Sequence, residues 1–261
     1  MSVEFDQESR ATRWGLSAAG MIVLFGLWYL VADVLALVSA TALPSPLAVV
    51  EVTIEFQELL YDNIQVTVVR AGWGYVAAVL LALVLGVALT AVERLRRALM
   101  PLVLATNTVP RVSLAPLIIF YLGDFNPHTL IAGWIAFFPI LINVMEGLGN
   151  LDEDTENLLD ALGATTYQEY RYVRFPNALP FIFDGLKIGV TLAIVGAVVG
   201  EFVASDTGVG FIALYAMQNY NIPVVFSVVA LMSLIAVAAF FTLYLLQDRL
   251  VHWREAALFP N

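Results

Sequence analysis

Six long apolar runs, separated by short polar stretches, organise this chain of 261 residues. A helix needs about 20 mostly apolar residues to cross a bilayer. Runs of that length lie at about 14–38, 66–92, 98–122, 129–148, 181–204 and 223–246. The pattern predicts an all-α membrane protein of six transmembrane helices. The third run is the least regular, carrying Pro101, Pro110, Arg111 and Pro116.

Two polar stretches have helical periodicity of their own. In "LPSPLAVVEVTIEFQELLYDNI", Val49, Val52, Ile54, Phe56, Leu59 and Leu60 interleave with Glu51, Glu55 and Glu58. That predicts a short amphipathic helix lying on the membrane surface or on the protein. In "LDEDTENLLDALG", Leu151, Thr155, Leu158, Leu159 and Leu162 share one helical face. Asp152 or Asp154 caps its start, and Gly163 stops it in the left-handed conformation that a helix end favours. A second helix is predicted at once, with a capping box over Thr166 to Glu169 and an end at Pro176. Pro180 suits the first turn of the fifth span.

Arginine placement orients the spans. Arg10 and Arg13 precede the first; Arg94, Arg96 and Arg97 separate the second and third. Arg171 and Arg174 separate the fourth and fifth, and Arg249 and Arg254 follow the sixth. The other three connections, 39–64, 123–128 and 205–222, hold no Arg or Lys. Cytoplasmic loops carry the excess of positive charge, so both termini and the 149–180 loop are expected in the cytoplasm of a multi-pass cell-membrane protein. The chain divides into a cytoplasmic N-terminus with the first span (1–38), an extracytoplasmic loop with an amphipathic helix (39–65), a core of five spans (66–246) and a cytoplasmic tail (247–261). The first apolar run follows an acidic segment without a small-residue cleavage site, so it is expected to be a mature span.

Composition narrows the function. Hydrophobic residues make up 61% and charged residues 13%, which belongs to the membrane class. A net charge of −10 argues against nucleic acid as a partner. The chain has no cysteine, hence no disulfide and no thiolate metal site. It has no G-x-x-x-x-G-K-[ST] phosphate loop and no H-E-x-x-H motif. His128 and His252 both fall outside the spans, which disfavours an intramembrane hydrolase. No cofactor or metal is expected, and the chain is not expected to be an enzyme.

The polar stretch "LLDALGATTYQEYRYVRFPNALP" resembles the cytoplasmic "EAA" loop of permease subunits of ATP-binding-cassette (ABC) importers. Gly163 is followed by nine residues, then Val173, Arg174, Phe175 and Pro176, in the family's register. The Glu-Ala-Ala triplet is replaced by Asn157-Leu158-Leu159, and the leucine before the proline by Phe175. "LPSP", "TVVRAGWGY", "TVPRVSLAPLIIFYLG", "FFPILIN", "GLKIGVTLAIVGAVVGEF" and "DTGVGFIALYAMQN" extend the likeness over about 43–246. The chain looks like the nitrate/sulfonate/taurine branch, which includes pyrimidine-precursor and riboflavin importers.

The resemblance implies the type I ABC importer permease fold and a translocation pathway for a small molecule. It implies a permease homodimer, a separate ATPase that binds the ATP, and an extracytoplasmic substrate-binding protein. It makes Asn157, Leu158, Leu159, Ala161, Leu162, Gly163, Tyr167, Val173 and Pro176 the coupling residues that meet the ATPase. The substrate expected is a small anion of the nitrate, sulfonate or taurine kind, or a thiamine-pyrimidine precursor or riboflavin. The alternative is a stand-alone secondary transporter or channel, which ordinarily shows paired intramembrane ionisable groups or related halves.

Polar residues inside spans are costly and are pathway candidates by default. Here they are Arg111, next to Pro110, together with Asn107, Asn143 and Glu201. Arg111 lines the pathway or pairs with a carbonyl. Glu201 lines the pathway or pairs with Arg70. Asn107 and Asn143 bind substrate or join helices. Lys187 and Asp184 are expected to snorkel to the interface.

Overall fold

The computed structural model describes residues 10–35, 39, 42–108, 111–122 and 126–251, without the side chains of 10–18, 106–108, 111–112 and 204. Eleven α-helices occur among these residues. They are α1 (Arg10–Tyr29), α2 (Pro46–Glu55), α3 (Gln57–Ala91), α4 (Glu93–Thr108), α5 (Arg111–Leu122), α6 (Pro127–Gly149), α7 (Glu153–Ala161), α8 (Thr166–Glu169), α9 (Phe175–Ala204), α10 (Val209–Gln218) and α11 (Ile222–Leu250). A π-helical turn, Leu30–Val34, continues α1, and another, Tyr170–Arg174, joins α8 to α9.

Four of the described helices are long and apolar enough to cross a membrane: Gln57–Ala91, Pro127–Gly149, Thr166–Val203 and Ile222–Leu250. The predicted third span is divided between α4 and α5, with residues 109 and 110 outside the described set. The second span begins well before residue 66, because α3 starts at Gln57 and absorbs Glu58, Leu59 and Leu60 from the expected surface helix. The rest of that surface helix is α2, capped by the Ser45 side chain. It packs on α11, where Thr53 Oγ1 lies 2.6 Å from Ser227 Oγ.

α6 and α9 form the centre of the molecule. α3 lies against α6, α10 and α11 lie against α9, and α2 closes over α11. The buried face of α3 runs through Ala71, Gly74, Ala78, Ala82, Gly86 and Leu89, mostly small residues at helical spacing. In an apolar solvent helices associate by close packing, and small side chains let the backbones approach. A Cβ on Gly196 of α9 would fall 2.8 Å from Ala132 Cα of α6, so that crossing requires glycine.

The predicted break at Pro176 does not occur. From Thr166 to Val203 the chain is one helical rod. The π-helical turn ends just before the proline, with Phe175 N–H bonded to Tyr170 O. A widened turn accommodates the missing N–H and the ring that would otherwise interrupt the helix. Lys187 does not merely snorkel. Its Nζ lies 2.8 Å from Asp184 Oδ1, donates to Gln247 Oε1 at 2.7 Å, and sits near the rings of Phe240 and Tyr244, stitching α9 to α11.

Candidate functional site: an exposed foot and a buried carboxylate at opposite ends of α9

At one end of the α9 rod stands the foot formed by α7 and α8. Asp152 caps α7, accepting from Thr155 N–H at 2.7 Å. Gly163 closes it with φ +65°, and Ala164 N–H returns to Leu159 O. The capping box of the second helix begins at Thr165, one residue earlier than the sequence reading placed it. Thr165 and Gln168 exchange bonds there, because threonine in the extended conformation, not the first helical residue, offers its oxygen to the free N–H groups.

α7 buries none of its residues. Leu158, Leu162 and Tyr167 are 58%, 72% and 69% exposed. Asn157, Ala161 and Gly163 are also exposed, while Leu159, Val173 and Pro176 are half-buried. Of the apolar face predicted for this helix, Leu158 and Leu162 therefore point away from the molecule's own core, while Leu151, Thr155 and Leu159 are half-buried.

Arg174 fixes this foot. Its Nη1 donates to Leu148 O at the end of α6 at 2.8 Å, its Nη2 to Glu156 of α7 at 3.1 Å, and its Nε to Glu169 of α8. Its guanidinium also lies over the Tyr170 ring at 5.7 Å. A planar five-donor fork suits such multiple contacts. From the sequence Arg174 served only to orient the spans and to set the loop's register; the acidic residues Glu156 and Glu169 near it were the available signal for its pairing.

Hydrogen bonds from Thr155, side chain and backbone, hold the Asp152 carboxyl below its ordinary pKa. A depressed folded value means that this contribution is complete above the ordinary carboxylate range and is lost as pH falls through the lowered value. Hydrogen exchange should therefore show the first turn of α7 protected at neutral pH and open in acid. In Asp152→Asn, which caps without titrating, protection should persist in acid; parallel acid loss there would refute the assignment.

At the other end of α9, about 40 Å away at 1.5 Å per residue, Glu201 is 1% exposed. Thr67 Oγ1 donates to both its carboxylate oxygens at 2.9 Å, Arg70 Nη1 donates to Oε1 at 2.9 Å, and Gly210 N–H donates to Oε2 at 2.9 Å. The network also gathers the turn before α10. Val209 N–H donates to Thr67 Oγ1, Gly208 N–H to Asn63 Oδ1, and Arg70 to Thr207 O and Oγ1. Gly208 has φ +98°, and a Cβ there would lie 2.3 Å from the Glu201 carboxyl carbon, so no other residue fits. Asn63, Thr67 and Arg70 stand at i, i+4 and i+7 on α3; of the two expectations for Glu201 the pair with Arg70 is the one formed, while Asn63 and Thr67 were not connected to it from the sequence.

Asn143 Nδ2 donates to Pro139 O in its own helix at 2.8 Å. Pro110 lies outside the described residues, as do the side chains of Asn107 and Arg111. Among the described residues no group of His, Asp or Glu is arranged to hold a metal ion.

Residues 74–255 match the family of binding-protein-dependent transport system inner membrane components. The chain belongs to this family. It is 31% identical over 215 residues to the formylaminopyrimidine transport permease protein ThiX of Halalkalibacterium halodurans, an alignment spanning 82% of this chain and 86% of that one. It is 29% identical to the aliphatic sulfonates transport permease protein SsuC of Bacillus subtilis, described as putative, over 90% of this chain and 86% of that one. A chain of the inward-facing MetNI methionine ABC transporter superposes with a TM-score of 0.64 at 20% identity, covering 75% of this chain and 98% of that one. The fold is that of a type I ABC importer permease. This inner-membrane permease subunit of an ABC importer falls in the branch expected from the sequence, among transport proteins and not enzymes. None of these relatives is a stand-alone carrier.

Proposed function

We propose that this permease crosses the membrane six times with both termini and the foot in the cytoplasm, and that two copies form the pathway. A separate ATPase grips the foot, and an extracytoplasmic binding protein delivers substrate near the Glu201 end. The observation that carries this reading is the exposed Leu158, Leu162 and Tyr167 on a foot pinned rigidly by Arg174. A leucine face left in water calls for a partner groove. The rod from Thr166 to Val203 runs without a break to the Glu201 cluster, and Arg174 ties α7 to it through Glu156, so a push on the foot moves the turn before α10. Closure of an ATPase on ATP then biases a two-state membrane unit. Asn157, Leu159, Ala161, Gly163, Val173 and Pro176 shape and support the same contact.

The substrate class is a small anion or a thiamine-pyrimidine precursor or riboflavin. Support comes from the ThiX and SsuC similarities and, for an anion, from a cationic Arg111 beside Pro110, with Asn107 and Asn143 as further pathway candidates.

The absence of native cysteine makes the test direct. Leu158→Cys and Leu162→Cys, labelled with a short thiol-reactive photo-crosslinker that needs no cysteine on the partner and irradiated in native membranes, should crosslink to the ATPase, and Ser205→Cys should not. Crosslinking of neither foot variant to a second polypeptide would defeat the proposal.

A further inference from the structure

A cavity of ≈ 540 Å³ opens beside the foot, between the end of α3 and the α8–α9 junction. That volume is in the range of small-ligand sites. One part of its lining is apolar: Val87 and Ala91 on the last turns of α3, and Phe175 at the start of α9. The other part is polar, with Thr166, Tyr167 and Arg171. Its wall is braced, because Tyr170 Oη donates to Thr90 Oγ1 at 3.1 Å and Thr90 bonds back to Gly86 O at 2.8 Å.

Three features define what fits. Ala91 ends a 35-residue apolar helix, and the charged segment Glu93 to Arg97 follows it, so the cavity lies at the level of lipid headgroups. Arg171 is exposed and, among the described residues, meets the Tyr172 ring at 5.8 Å. Arg94 and Arg96, past Val92 and Glu93 from Ala91, are exposed as well but do not line the cavity. Among the described residues none of these three arginines has a carboxylate partner. In a chain with net charge −10, Arg171 is thus an unneutralised cation in the wall of a mostly apolar slot.

We infer that this cavity binds one anionic phospholipid, its phosphate at Arg171 and Thr166 and the head of an acyl chain against Val87, Ala91 and Phe175. Basic pockets between helices at a membrane surface select anionic headgroups in this way. The site depends on membrane insertion, and Tyr167 is shared between its lining and the proposed ATPase contact. A bound lipid would tie the end of α3 to the base of the α9 rod.

The full-length permease in nanodiscs of phosphatidylcholine, titrated with phosphatidylglycerol and read by native mass spectrometry without ATPase, tests this. One phosphatidylglycerol should be retained in preference to phosphatidylcholine. Arg171→Gln, at an exposed position, should weaken that binding about fivefold, the effect of one interfacial charge. Val87→Trp, which fills the apolar part, should remove the preference with Arg171 intact. Equal retention of the two lipids, or wild-type binding by both variants, overturns the inference. So does displacement of the lipid by added ATPase, which would make the cavity part of the protein contact.

Discussion

Glu201→Ala is expected to destabilise the permease by about 3–5 kcal/mol, the cost of removing one partner from a buried ion pair. Glu201 is 1% exposed and its carboxylate receives four hydrogen bonds. Removing it leaves the Arg70 guanidinium partly buried beside a void, with the Gly210 N–H unsatisfied. An unpaired buried donor costs its full desolvation, whereas removing both partners costs much less. Glu201→Ala/Arg70→Met should therefore recover a large part of the lost stability. Thermal unfolding in detergent measures both variants, and the coupling follows from the double-mutant cycle. Independent, additive losses would show that the pair does not act as a unit. Glu201→Gln, which keeps an acceptor for Gly210 or Thr67 but loses the charge, should fall between the wild type and Glu201→Ala.

Leu158→Glu/Leu162→Glu is expected to do the opposite: abolish transport by at least tenfold while leaving thermal stability within about 0.5 kcal/mol, as for exposed sites outside packed structure. Both leucines are more than half exposed, and α7 buries nothing. An apolar anchor at an interface commonly contributes about 2 kcal/mol or more. Two carboxylates in a partner's apolar groove add a desolvation cost on top of that loss. Substrate-stimulated ATP hydrolysis by the reconstituted complex, measured beside uptake, reads the effect. Full stimulation in the double variant would remove the foot from the coupling path. Contrasting outcomes in the two experiments would separate a group that holds the permease together from a face that holds its partner.

Much of this architecture was legible before any tertiary contact was known. The greasy runs at 66–92, 129–148, 181–204 and 223–246 became four long helices, since a bilayer fixes the length an apolar helix needs. Asp152 and Gly163 marked the ends of α7, because caps are read from local chemistry. The proline rule failed at Pro176: a proline breaks a regular α-helical ladder, and the π-helical turn before it is not regular. The start of α3 was also misplaced. Nothing local distinguishes an amphipathic surface helix from the first turns of a membrane helix.

Local periodicity thus determined the membrane class, four of the six expected apolar helices and the glycine-stopped foot, all properties of residues within a few turns of one another. Only the tertiary structure decided which polar groups meet. Arg70 and Glu201 are 131 residues apart, and Arg174 reaches across 26 residues to Leu148 and 18 to Glu156. Such pairs depend on how α3, α6 and α9 cross. Those crossings are set by which small residues face each other, as Gly196 faces Ala132, and a linear pattern does not encode that pairing.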